Sequence, residues 1–107
     1  MDAKKLAQYE ARAQIIKALA HPARLLIVDE LSKNGERCVC ELTEMIGSDM
    51  STVSRHLALL KGAGLVMDEK RGQMVFYRMR VPCLLSFFDC IESVMVCNAK
   101  RHQELMT

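Results

Sequence analysis

The chain has 107 residues, half of them hydrophobic, and a formal net charge of +2. That length suits one domain, residues 1–107, with a single core and little apolar material left for a second. No window reaches about 18 consecutive apolar residues and no basic segment leads into an apolar run, which argues against a membrane span or secretion signal and predicts a soluble, cytoplasmic protein.

Asp2 to Leu19 carries apolar residues at Leu6, Tyr9, Ala13, Ile16 and Leu19, the spacing of a first amphipathic helix. His21-Pro22 breaks it, and proline suits the first turn of a second helix that runs to Ser32 before the Asn34-Gly35 stop. Cys40 to Ile46 predicts a short third helix ended by Gly47, with Ser48 and Asp49 as turn and cap residues. The fourth helix begins near Met50. Val53, Leu57 and Leu60 form its core stripe, while Ser51, Ser54, Arg55, Ala58 and Lys61 occupy the other side. Small side chains let a helix approach the major-groove floor, an arginine reaches guanine or phosphate, and hydroxyls bond phosphate oxygens. The same composition also describes an ordinary solvated face.

The next elements weigh between those readings. Gly62 and Gly64 end the helix, and Leu65–Lys70 and Met74–Arg80 read as strands around a basic turn, Arg71-Gly72, with Gln73 beside it. A helix-turn-helix followed by such a hairpin is a winged arrangement, with the recognition helix in the major groove and the wing on adjacent backbone or minor groove. Charge distribution agrees. Between Met50 and Arg80, Arg55, Lys61, Lys70, Arg71, Arg78 and Arg80 face only Asp68 and Glu69. Apolar residues at both chain ends, Leu6–Ile16 and Leu84–Val96, predict a homodimer formed through the terminal helices. The expected fold is therefore mainly α with a β-hairpin wing, in the order α-α-α-α-β-β-α.

At this point the sequence resembles the ArsR/SmtB family of winged helix-turn-helix repressors over nearly its whole length. Leu19-Ala20-His21-Pro22-Ala23-Arg24-Leu25 is similar to the family's second-helix opening, and Cys38-Val39-Cys40-Glu41-Leu42 to its thiol motif. Ser51-Thr52-Val53-Ser54-Arg55-His56-Leu57, with Leu60-Lys61 and Ala63-Gly64-Leu65-Val66, is similar to its recognition helix and strand entry. The resemblance implies a dimeric repressor that binds double-stranded operator DNA without a cofactor and releases it when an inducer docks. The expected DNA-binding residues are Ser51, Thr52, Ser54, Arg55, His56, Lys61, Arg71 and Gln73.

Five cysteines, an odd number without a secretion signal, argue for reduced thiols rather than a disulfide framework. Cys38 and Cys40 lie at the start of the third helix, where its dipole favours thiolates that bind one soft ion. In arsenite-sensing relatives a third cysteine follows three positions later, where this chain has Thr43. Cys83, Cys90 and Cys97 recur at steps of seven, which predicts one stripe on the last helix with neighbours about 10 Å apart along the axis. One ion needs sulfurs within about 4 Å of one another, so the remaining ligands must come from another helix or subunit. The family's zinc pattern on that helix falls here on Val81, Cys83, Val94 and Cys97, with half its ligands absent. A sulfur-only site suits As(III), Sb(III), Cd(II) or Cu(I) better than hard or imidazole-preferring ions. The expected inducer is thus a thiophilic metal or metalloid, As(III) or Sb(III) foremost, held by Cys83, Cys90 and Cys97, with Cys38 and Cys40 as the alternative. A repressor switched by thiol oxidation or persulfide formation stays open. A thiol enzyme is disfavoured because the chain lacks Cys-x-x-Cys, a βαβ pattern and a base paired with a cysteine.

Overall fold

The computed structural model describes residues 1–106. Asp2 caps α1 (Ala3–Leu19) by accepting a hydrogen bond from the Lys5 amide at 2.8 Å. His21 caps α2 (Pro22–Asn34) through Nδ1, which accepts from the Ala23 amide at 3.0 Å, and Gly35 ends this helix at a φ of 81°. A short strand, β1 (Arg37–Cys38), leads into α3 (Val39–Ile46). Cys38 is the N-cap of α3. Its Sγ accepts from the Glu41 amide at 3.4 Å, and the Glu41 carboxylate accepts from the Cys38 amide at 3.1 Å, a capping box with sulfur in the usual hydroxyl position. Asp49 then caps α4 (Met50–Gly62) through the Thr52 amide at 2.8 Å. The wing is β2 (Val66–Arg71) and β3 (Met74–Met79), and α5 (Leu84–Met106) closes the described chain. The hairpin turn is Gly72-Gln73; a φ of 63° at Gly72 alone fits a type II′ turn, which matches the twist of the flanking strands.

The expected order holds with one addition and several shifted ends. β1 makes the hairpin a three-stranded antiparallel sheet of order β1-β3-β2, with Arg37 opposite Tyr77 and Cys38 opposite Phe76. Two residues show no alternating pattern, so only their pairing with β3 reveals the strand. The third helix begins at Val39 rather than Cys40, and the second extends to Asn34 rather than Ser32. Cys83 requires a correction. It lies in the turn before α5, so only Cys90 and Cys97 are on that helix.

The core gathers Ile27, Val28 and Leu31 of α2, Leu42 of α3, Val53, Leu57 and Leu60 of α4, and Leu65, Val66 and Tyr77 around the sheet. The stripe expected on α4 is fully enclosed, each of its three residues being 0% exposed. Leu57→Ala should cost about 2–5 kcal/mol, by lost transfer energy and a residual cavity. Urea unfolding at fixed protein concentration checks this, and a loss below about 1 kcal/mol would contradict the close packing around Leu57. The terminal helices behave differently: α1 buries only Leu19 and α5 buries no residue. Among the described residues, no helix is long and apolar enough to cross a membrane.

Candidate nucleic-acid interface and thiol pair

The Asp49 cap and the buried stripe fix the rotation of α4, leaving Ser51, Ser54, Arg55 and Ala58 exposed on its outer face. Bonding to Thr52 at the helix N-terminus holds the Asp49 carboxyl below its usual range. Arg55 Nη2 donates to Thr52 Oγ1 at 3.2 Å, which orients the guanidinium along the first turns, and Arg55 is in no ion pair among the described residues. Thr52 itself is half-buried. Lys61 is held by Asp68 at 2.9 Å, which raises its pKa. Gln73 is exposed in the wing turn.

Arg71 and His56, like Lys61 and Thr52, are not simply free on an outer face. Arg71 is exposed but engaged by Glu36 and Glu69. His56 is half-buried with its ring 4.4 Å from that of His21, and its Nδ1 is enclosed without a hydrogen-bond partner. Burial lowers the His56 pKa, and the positive groups facing it, His21 and Arg24 on the α2 side and Arg55 on its own helix, lower it further. The unfolded chain therefore binds this proton better than the fold does. Stability should be unaffected above the ordinary histidine value of about 6.5 and fall as the pH drops through it towards the lower folded value. Asp49 and Glu69, held down by hydrogen bonds to Thr52 and Arg71, titrate below this window. We expect the thermal midpoint to drop between about pH 7.5 and 5.5 and His56→Gln to flatten that drop. An equally steep drop in the variant would assign it to another group.

The thiols separate into two groups. Against the expectation of reduced thiols throughout, buried Cys38 and exposed Cys40 are joined as a disulfide pair with Cα atoms 5.4 Å apart, because two residues of separation across the turn into α3 bring their sulfurs together. They open on a groove of about 230 Å³ whose wall includes Met50 and Ser54 of α4 and Gln73 and Met74 of the wing. One small space thus touches the thiol pair, the start of the recognition helix and the wing turn. At the third position of the thiol motif stands Thr43, whose hydroxyl donates to the Val39 carbonyl at 2.7 Å. Cys83, Cys90 and Cys97 are free and exposed, and among the described residues no group of three or more His, Cys, Asp or Glu side chains converges as a metal site would. Reduced, this pair would offer two adjacent sulfurs.

Residues 21–68 match the model of the bacterial regulatory protein arsR family, a span that runs from the α2 cap through the recognition helix into β2. An HTH-type transcriptional regulator of Methanocaldococcus jannaschii is 41% identical over 70 residues, which cover 65% of this chain and 79% of that protein. The chain belongs to the ArsR family. The arsenical resistance operon repressor of Escherichia coli is 47% identical over 66 residues, 62% of this chain, and the match spans 56% of that protein's length. A solution structure from Mycobacterium bovis, the homodimeric winged helix-turn-helix DNA-binding domain of a possible ArsR-family regulator, superposes with a TM-score of 0.77 at 30% identity, over 95% of this chain and 94% of that one. These relatives are transcriptional regulators rather than enzymes. In this ArsR-family chain α3 and α4 are the helix-turn-helix and β2–β3 the wing.

Sequence reasoning missed Glu36. It lies 35 residues from the arginine it grips, and no local pattern signals such a pair.

Proposed function

We propose that this protein is a homodimeric repressor that releases operator DNA when a thiophilic metalloid or metal, As(III) or Sb(III) foremost and Cd(II) next, binds the Cys38 and Cys40 thiolates. The carrying observation is the groove lined by both cysteines together with Met50 and Ser54 of the recognition helix. Dimerisation is supported by Leu6, Tyr9 and Ile16 on α1 and Ile91, Val94 and Met95 on α5, all exposed in the single chain, and by the homodimeric relative. Two-fold symmetry then sets the paired recognition helices about one DNA turn, roughly 34 Å, apart. Ser51, Ser54 and Arg55 would meet the major groove, with Gln73 at the wing.

Once a cellular dithiol has reduced the Cys38–Cys40 disulfide, binding an arsenous acid would cost each thiol its proton as two hydroxides leave as water and two S–As bonds form. Cys38 Sγ would then give up the Glu41 amide it caps. Loss of that cap loosens the start of α3, which packs against α4 and leads out of the β1 strand. The recognition helix and the wing would no longer hold the pose that fits successive grooves. Coupling of this kind typically amounts to about 1–3 kcal/mol, roughly 5- to 150-fold in affinity.

A second reading has its own support: the paired sulfurs of Cys38 and Cys40 would let a disulfide or persulfide act as the switch in place of an ion. The deciding experiment is an operator-release titration with arsenite, antimonite and cadmium under reducing conditions, run beside a thiol oxidant. Release by arsenite or antimonite at about one ion per subunit supports the proposal. Release only by the oxidant would replace it with the redox reading.

A further inference from the structure

Arg71 ends β2 next to the wing turn, yet what holds it comes partly from outside the wing. Glu36, in the loop before β1, accepts from Arg71 Nη1 at 2.6 Å and from Nη2 at 2.9 Å, while Glu69 accepts from Nη2 at 2.8 Å. The guanidinium also lies over the Phe76 ring, 4.7 Å from its centroid. Sheet order explains the shape of this contact. In β1-β3-β2 the strand following Glu36 and the strand ending in Arg71 flank β3 on opposite sides, roughly 10 Å apart at ordinary strand spacing. Two long side chains bridge that gap across Phe76, the register partner of Cys38.

The charge of this cluster argues against a phosphate contact. One guanidinium with two carboxylates carries a net charge of −1, and a phosphate would have to displace acids already bonded through both Nη atoms. The bonds to Glu69 and Glu36 push the Arg71 pKa up further. Lys70, Arg78 and Arg80 remain in no ion pair among the described residues and supply the wing's available positive charge. β1 contributes only two residues to the sheet, so its ladder alone ties the wing weakly to the segment that carries Cys38.

We propose that Glu36 and Arg71 form a latch that fixes the wing's pose against β1, making Arg71 a positioning residue for DNA binding rather than a phosphate contact. The proposal rests on the DNA binding of the family, which the wild-type protein tests in the same titration, independently of any inducer. The two accounts differ in sign at Glu36. Removing an acid beside the wing favours DNA electrostatically, whereas loss of a latch weakens binding.

The experiment measures operator and unrelated-DNA affinity across salt concentrations for the dimer and for Glu36→Gln, Arg71→Gln, both together, and the exchanged pair Glu36→Arg with Arg71→Glu. Each single substitution is expected to weaken binding by about 3- to 30-fold, counting two wings per dimer, with the salt slope changed by less than about one unit. The double substitution should be no worse than either single one, and the exchange should recover part of the loss. Thermal melts and dimer mass accompany each variant, and recovery by the exchange cannot arise from misfolding. If Glu36→Gln binds as well as the wild type or better, and Arg71→Gln lowers the slope by roughly two units per dimer, Arg71 is a phosphate contact and the latch is overturned.

Discussion

Arg55→Ala should remove the preference for the operator over unrelated DNA while leaving folding intact. Arg55 is exposed, belongs to no ion pair among the described residues and is oriented by Thr52, so its guanidinium is the one on α4 free to make a two-pronged contact with a guanine edge. Such a contact contributes about 1–3 kcal/mol of discrimination, and a symmetric dimer has two, giving a loss of roughly 30-fold to 10⁴-fold. The same substitution touches no core residue and should change unfolding stability by less than about 0.5 kcal/mol. Operator and random-sequence affinities measured at one salt concentration check it. An unchanged ratio between them would remove α4 from the role of reader.

The second large effect concerns the thiols. Cys38→Ser combined with Cys40→Ser should leave operator affinity near wild type and abolish release by As(III) or Sb(III), a loss of the entire 5- to 150-fold response typical of such coupling. Serine is a suitable control here, because its hydroxyl is a preferred N-cap and can take over from Cys38 Sγ as acceptor of the Glu41 amide. A lost response then reflects missing thiolates rather than a damaged helix. Cys83→Ser, Cys90→Ser and Cys97→Ser, made singly, should retain the response, since in one chain these thiols are exposed and join no cluster. Release titrations on each variant, with dimer mass measured separately, decide the matter. Silent Cys83, Cys90 or Cys97 variants beside a responsive double serine variant would move the inducer site to α5 and the turn before it, where sequence spacing first pointed.

Periodicity made most of the fold legible, because burial on α2, α3 and α4 repeats at helical spacing and each boundary carries its own chemistry: Pro22 at a first turn, Gly35 and Gly47 at positive φ, Asp49 at a cap. The outer face of α4 was equally readable, since Val53, Leu57 and Leu60 leave Ser51, Ser54 and Arg55 only one direction to point. The site was less so. Lys61, Arg71 and His56 looked alike in the sequence as exposed, basic or titratable residues near a reader helix. Asp68, Glu36 and His21 lie on other elements, and only Glu69, two residues away on the same strand, hinted locally that Arg71 is held.

The five-helix, winged architecture and the choice of α4 as the candidate reading helix were thus legible in the sequence by itself, the first from local spacing, capping and turn residues that act over a few positions, the second only once the hairpin after it and the family resemblance were added. Only the tertiary structure decided that β1 exists, that Cys83 stands outside the last helix, that the Cys38–Cys40 groove borders both α4 and the wing, and that Glu36 reaches Arg71. Each of these depends on which distant segments pack side by side. That is set by the closure of one core around α2, α4 and the sheet, and it leaves no periodic trace in the residues it brings together.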